Sequence, residues 1–121
     1  MLVSNLLRIL PLLAAPIDAE ATWWSPDTVP DTIRYGTIGK SIVHALNEGA
    51  DRERVAAAFV VIEHFYVNSN EEEQTAIATG LLEAVVSTSE RLECVNVIAP
   101  MLGESCREYV RGWNEFCGVE W

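Results

Sequence analysis

Few residues in this chain are of types and spacings that could do chemistry, and Glu63 and Glu83 lead them. Glu63 follows Val61-Ile62 and Glu83 follows Leu81-Leu82, so each carboxylate ends an aliphatic pair in an apolar or small-residue setting. Two carboxylates on adjacent helices can serve as a general acid and base. The same placement serves structure when a carboxylate reaches the backbone N–H groups of a neighbouring element. The structural role is the stronger reading, because no complete catalytic set surrounds the pair. His64 stands next to Glu63, but neighbours at i and i+1 of a helix point apart and cannot chelate together. No serine or cysteine is placed beside His44 or His64 as a nucleophile. Both histidines read as ordinary helix residues.

Two other patterns are weaker. Gly36-Thr37-Ile38-Gly39-Lys40-Ser41 ends like a phosphate loop, but only two residues separate its glycines and no strand precedes it. Nucleotide binding is therefore not expected. The three cysteines, Cys94, Cys106 and Cys117, show no metal-ligand or redox spacing. On one helix, Cys106 and Cys117 would stand roughly 16 Å apart at about 1.5 Å per residue, too far to bridge. Free thiols in a reducing cytosol follow. The residues thus point to a protein that is not an enzyme and holds no metal or cofactor.

Charge is the more informative signal. The 121 residues carry a formal net charge of -10. Residues 1–60 hold seven acids against five bases, net -2; residues 61–121 hold eleven against three, net -8. Such a balance disfavours nucleic acid and anionic membrane and favours a basic protein partner. At the N-terminus, Ile9 to Ile17 is apolar and Ala19-Glu20-Ala21 resembles a cleavage box. Arg8 lies inside the apolar run, however, and Asp18 and Glu20 crowd the site, which disfavours a secretory signal. No apolar stretch approaches the roughly 20 residues that span a bilayer, so the expected compartment is the cytoplasm.

The elements that must position these groups read as helices throughout. The central stretch runs from Asp51 to Ser87 as two long helices joined at Asn68-Ser69-Asn70. Asp51 caps the first, whose apolar residues (Val55, Phe59, Ile62, Phe65, Tyr66) recur at helical spacing. That helix is apolar almost all round and is expected to be central, covered on several sides. Asn70 with Glu73 forms a capping box, and Glu71, Glu72 and Glu73 favour a helix start. Ile77, Ala78, Leu81, Leu82 and Val85 line one side of the second helix. Upstream, Ser4 caps a helix over about Asn5–Leu13, bent near Leu10 by Pro11, and Pro16 starts a short piece through about Thr22. Trp23 to Tyr35, with two prolines, reads as a loop; its tryptophans either seal the core or stand out as a partner anchor. Tyr35–Glu48 is a helix closed by Gly49. A shorter helix spans about Ser89–Met101. Ser105 caps the last, whose inner face is Tyr109, Val110, Trp113 and Phe116, and Gly118 ends it. The expectation is an all-α fold: a single compact domain of five to six helices, its hairpins packed as a bundle or a short HEAT-like stack.

Three of these pieces, LLRILPLLA, VIEHFYVNSNEEEQTAIATGLLEAV and MLGESCREYVRGWNEFCG, together and in this order resemble a family of small all-helical bacterial immunity proteins encoded beside polymorphic toxins of the Rhs or contact-dependent kind. The matching motifs are packing residues: Leu81-Leu82-Glu83, Leu102-Gly103, Tyr109, Trp113 and Phe116-Cys117-Gly118. The resemblance implies a non-enzymatic protein that binds one cognate toxin domain and occludes its active site or substrate surface. It carries over no binding residues. On charge and residue type, the partner-binding candidates are Glu71, Glu72, Glu73, Glu90 and Glu93, with Trp23 and Trp24 in the loop. The alternative is a helical adaptor for an endogenous basic protein or peptide. The chain is expected to be a monomer or, through Trp121 or the Trp-Trp loop, a weak homodimer.

Overall fold

The computed structural model describes the backbone of residues 1–117 and the side chains of residues 1–113. Among them the fold is all-helical, in one compact domain. Helix α1 (Leu2–Ile9) breaks at Leu10, whose φ of -126° and ψ of 81° leave the helical region, and a 3₁₀ turn follows over Pro11–Leu13. Pro11 causes the break, since it can neither donate to the ladder nor let the preceding residue stay helical. Helix α2 (Ala14–Trp24) then turns back, bent 119° from α1. No single described helix is long and apolar enough to cross a membrane. Helix α3 (Asp31–Asn47) closes at Gly49, whose φ of +101° suits a residue without a Cβ. Helix α4 (Arg52–Asn68) starts on Asp51, whose carboxylate accepts from the Glu53 N–H at 2.9 Å.

Helix α5 (Glu71–Ala76), a π-helical stretch (Ile77–Leu82) and α6 (Glu83–Arg91) form one continuous rod. The rod ends where Glu93 takes a left-handed φ of 57° and the Cys94 N–H reaches back to the Ser89 carbonyl at 2.9 Å. Short α7 (Val95–Ile98), a 3₁₀ turn (Ala99–Met101) and α8 (Glu104–Cys117) complete the chain.

Several boundaries differ from the reading above. The first helix starts at Leu2, not near Asn5, so Ser4 is inside it. The loop after the tryptophans shrinks to residues 25–30: Trp23 and Trp24 are the last turn of α2, and Asp31 opens α3 directly after Pro30, whose fixed φ suits that position. The helix expected from Ser89 starts at Val95, because α6 continues through Ser89 to Arg91. The expected roles of Phe116, Cys117 and Gly118 and of the terminal Trp121 lie outside the described residues.

The larger correction concerns the centre. Helix α4 buries Val55, Ala58, Phe59 and Ile62, chiefly against α1 and α8, but Val60 is 67% and Val67 52% exposed. It is a flank with one open side, because Ala56 and Ala57 give it apolar composition without apolar bulk. The most extensive packing is α3 against the π stretch and α6. Two glycines allow it. A Cβ on Gly39 would sit 2.5 Å from the Leu81 carbonyl oxygen, and one on Gly80 2.5 Å from that of Thr32. Backbone therefore lies on backbone at both points. Around this seam Ile38, Ile42 and Val43 of α3 meet Ile77, Leu81, Leu82, Val85 and Val86 in one buried cluster.

A direct test follows from the seam. Gly39→Ala and Gly80→Ala should each lower unfolding free energy by about 1–3 kcal/mol, the usual cost of forcing atoms into a packed site. Gly112→Ala, where an added Cβ meets nothing within 4 Å inside α8, should instead stabilise by up to about 1 kcal/mol. Urea midpoints for the three variants would decide; equal, small shifts at all three positions would remove the close-contact argument.

Candidate functional site

The sequence-nominated residues are scattered over several places. Glu63 and Glu83, one on α4 and one on α6, both face α8. The Glu63 carboxylate accepts from the Ser105 N–H at 3.0 Å and the Cys106 N–H at 2.9 Å, so it caps the start of α8 from another helix. Ser105, expected as that cap, lies in the first turn instead. Gly103 makes room: any Cβ there would overlap the Glu63 side chain. Burial pushes the Glu63 carboxyl up, but the bonds from Cys106 and Ser105 outweigh it and hold the group below the ordinary carboxylate value. Glu83 accepts from the Tyr109 hydroxyl at 2.7 Å rather than from a backbone group. Burial, then this bond and the Glu83 charge, push the Tyr109 phenol up, which keeps it a donor. Both carboxylates are thus engaged in fixing α8. Burial and the nearby Glu63 likewise push the Cys106 thiol up and suppress its thiolate.

The second place is a groove of about 1020 Å³. Three helix starts converge on it: Met1 to Val3 of α1, Asp31 and Thr32 of α3, and Asn70 to Glu73 leading into α5. Of the expected capping box, half is made. The Asn70 side chain accepts from the Glu73 N–H at 2.8 Å, while the Glu73 carboxylate turns to accept from the buried Tyr35 hydroxyl at 3.1 Å. Burial first, then the Glu73 charge and bond, push the Tyr35 phenol up to about 12. Arg34 pairs with Asp31 at 3.0 Å. Glu71 and Glu72 are exposed on the rim. Asp31 and Tyr35 were not nominated from the sequence. Asp31 behind a proline is a helix-start signal, and Tyr35 is buried polar-tipped at the same end of α3, but nothing local shows that α3 and α5 begin side by side.

The remaining candidates are elsewhere, and none of them lines this groove. Glu90 is half-buried, with one carboxylate oxygen out of contact with solvent, so it is not the free surface acid expected. Glu93 is exposed in the left-handed turn after α6. Trp23 is 82% exposed, whereas Trp24 is half-buried and meets it edge-on at 6.3 Å. The Gly36–Ser41 stretch lies wholly inside α3, with its backbone N–H groups committed to the helix rather than to a phosphate. His44 meets Arg91 at 3.3 Å and His64 meets Asn68 at 3.4 Å, both exposed contacts. No group of three or more His, Cys, Asp or Glu among the described residues is arranged to hold a metal ion.

Comparison with protein-family models, with curated proteins and with solved structures finds no match to this chain. The likeness to toxin-immunity proteins therefore rests on the sequence motifs alone.

Two predictions concern the groups placed here. Glu63→Gln should cost about 1–2 kcal/mol, the range of a lost helix cap. Because the Glu63 pKa is lowered on folding, its contribution is present above the unfolded value of roughly 4.3 and disappears as pH falls through the folded value. The wild-type stability curve should drop more steeply than that of Glu63→Gln between about pH 5 and 3; parallel curves would show that the carboxylate is not the cap. At the end of α6, Glu93→Gly relieves a left-handed residue and should raise stability by about 1 kcal/mol. A lowered melting temperature for that variant would contradict the assigned turn.

Proposed function

We propose that this chain is an immunity-type inhibitor: it binds a basic toxin domain in the cytoplasm and occludes that domain's active site or substrate surface. The observation that carries the reading is the acidic groove, where Glu71, Glu72, Glu73 and Asp31 gather at one end of the helical bundle. Four carboxylates face one paired arginine and the chain's amino terminus there, so the rim stays negative. A negative concave rim attracts a basic surface over a Debye length and raises association rates. Stoichiometric rather than catalytic action is supported by Glu63 and Glu83, which hold α8 instead of standing free. Trp23, large and exposed, supplies an aromatic of the kind that anchors interfaces. The helical hairpins pack as a bundle that presents this groove on fixed helix ends, and the free chain is a monomer or weak homodimer.

An adaptor that takes a basic peptide is the competing reading, since the same groove would hold a lysine- or arginine-rich segment. Affinity capture on the tagged chain in the native cell separates the two. Near-stoichiometric recovery of the C-terminal domain of a large secreted protein supports immunity; recovery of resident basic proteins supports the adaptor. With the captured partner in hand, Glu71→Lys/Glu72→Lys should slow association about tenfold or more at low salt and flatten its salt dependence. Glu73 is left in place in that variant because it holds Tyr35. On-rates unchanged at low ionic strength would exclude the groove rim as the steering surface.

A further inference from the structure

Helix α2 is apolar in composition, yet none of its 11 residues is fully buried. Pro16, Ala19, Glu20 and Trp23 recur at helical spacing along one edge of it. Glu20 turns that edge toward α3 by accepting from the Thr37 hydroxyl. The two helices run antiparallel, since Leu12 and Pro16 line one groove with Lys40, His44, Ala45 and Ala50 from the far end of α3. That groove holds about 700 Å³, and Glu48 also lines it. Lys40 is the chain's only lysine. At the other end of α2, about 16 Å away at 1.5 Å per residue, Trp23 stands 82% exposed. On α3, Ile33 shares a face with Thr37, Lys40 and His44 at spacings of four, three and four. Among the described residues six large apolar side chains are exposed, and three of them, Leu12, Trp23 and Ile33, belong to this α2–α3 face.

We propose that a second copy of this chain covers the face, in an antiparallel α2–α2 dimer where each Trp23 fills the other copy's groove. A two-fold axis across the middle of α2, between Ile17 and Asp18, exchanges the two ends of the helix. Trp23 of either copy then lands over Leu12 and Pro16 of the other, and the contact is self-complementary and closed. Ala15 and Ala19 are exposed between those ends and are small enough to let the helices approach closely. Charge agrees with this occupant. Asp27 lies at the Trp23 end, near Ile17, Ala21 and Arg34, so the same rotation carries it toward Lys40 and His44. Opposite charges thus flank each indole, which offsets the repulsion between two chains of formal charge -10. Area sets the strength. Each tryptophan buries roughly 150–250 Å², and with Leu12, Ile33 and the alanines the pair reaches about 1,200 Å² at most, the low end of specific interfaces. A dissociation constant on the order of 100 μM follows. This gives the weak homodimer its surface and is independent of the toxin reading.

Sedimentation velocity of the full chain from about 10 μM to 1 mM, with amide chemical shifts over the same series, tests the proposal. A monomer–dimer equilibrium is expected, with concentration-dependent shifts centred on α2 and α3. Trp23→Ala should weaken it about tenfold or more, as loss of an interface tryptophan does. Its melting temperature at low concentration should match the wild type, because the indole is exposed in the single chain. Lys40→Glu and Asp27→Lys should each weaken association about threefold or more, and the double variant should restore it. Recovery by the double variant separates a contact between copies from a change within one chain. A monomer at 1 mM, which leaves the face to another protein, would overturn the assignment. So would a dimer indifferent to Trp23→Ala, no recovery in the double variant, or concentration-dependent shifts confined to α4 or α8.

Discussion

The structure depends on a backbone-to-backbone contact between α3 and the 77–91 rod. Gly39 and Gly80 place no Cβ where the two helices approach, and the carbonyls of Leu81 and Thr32 fill the space. Helix packing normally keeps axes 8–10 Å apart, with the lower end reserved for small residues. Here the small residues are reciprocal, one from each helix, their contacts about two turns apart along α3. The π stretch at Ile77–Leu82 belongs to the same constraint. Its wider turn keeps Ile77, Leu81 and Val85, and beside them Ala78, Leu82 and Val86, stacked along one face. In a regular helix, steps of four drift by about 40° per turn, and the buried doublets would wind away from α3.

Outside that seam, polar links join apolar packing in holding the elements together. Helix α8 is the clearest case. Its start is capped by Glu63 from α4, its middle is tied by Tyr109 to Glu83 on α6, and Arg107 donates to the carbonyls of Ala99 and Leu102 in the preceding turn. Apolar contacts of Leu102, Cys106 and Val110 lie between these bonds. Two carboxylates that could have been reactive are thereby made into fasteners, each on a different helix. The result is that α8 bridges α4 and α6, which make little direct contact with each other.

The sequence showed the element types well and their arrangement poorly. Helix periodicity, Asp51, Asn70 and Gly49 are local signals, and each sits where local rules put it. The centre was misplaced because α4 is apolar by composition, whereas burial is decided by which face finds a partner. Gly39 and Gly80 were visible, one inside a false phosphate-loop pattern and one beside Glu83, but a close contact is a property of two helices distant in sequence. The strict four-residue spacing of the doublets from Ile77 to Val86 was the available sign of the π stretch. The groove was half legible: Glu71 to Glu73 are conspicuous, while Asp31, Tyr35 and the amino terminus join them only through the tertiary fold.

That convergence also bears on what the acids are for. A helix start carries roughly half a positive charge, so acidic residues in a first turn need no partner to explain them. Asp31, Glu71, Glu72 and Glu73 all occupy such positions. Dipole compensation, however, accounts for one or two charges per helix end, and α5 carries three in succession on a six-residue helix that runs on into the rod. Glu73 is absorbed by Tyr35, and Asp31 by Arg34. Glu71 and Glu72 are the surplus: exposed, uncommitted to any described cation, and set at the edge of the groove. Glu71 and Glu72 thus leave unspent charge at this rim, and it is that local charge, rather than the overall acidity of the chain, on which the proposed attraction of a basic partner rests.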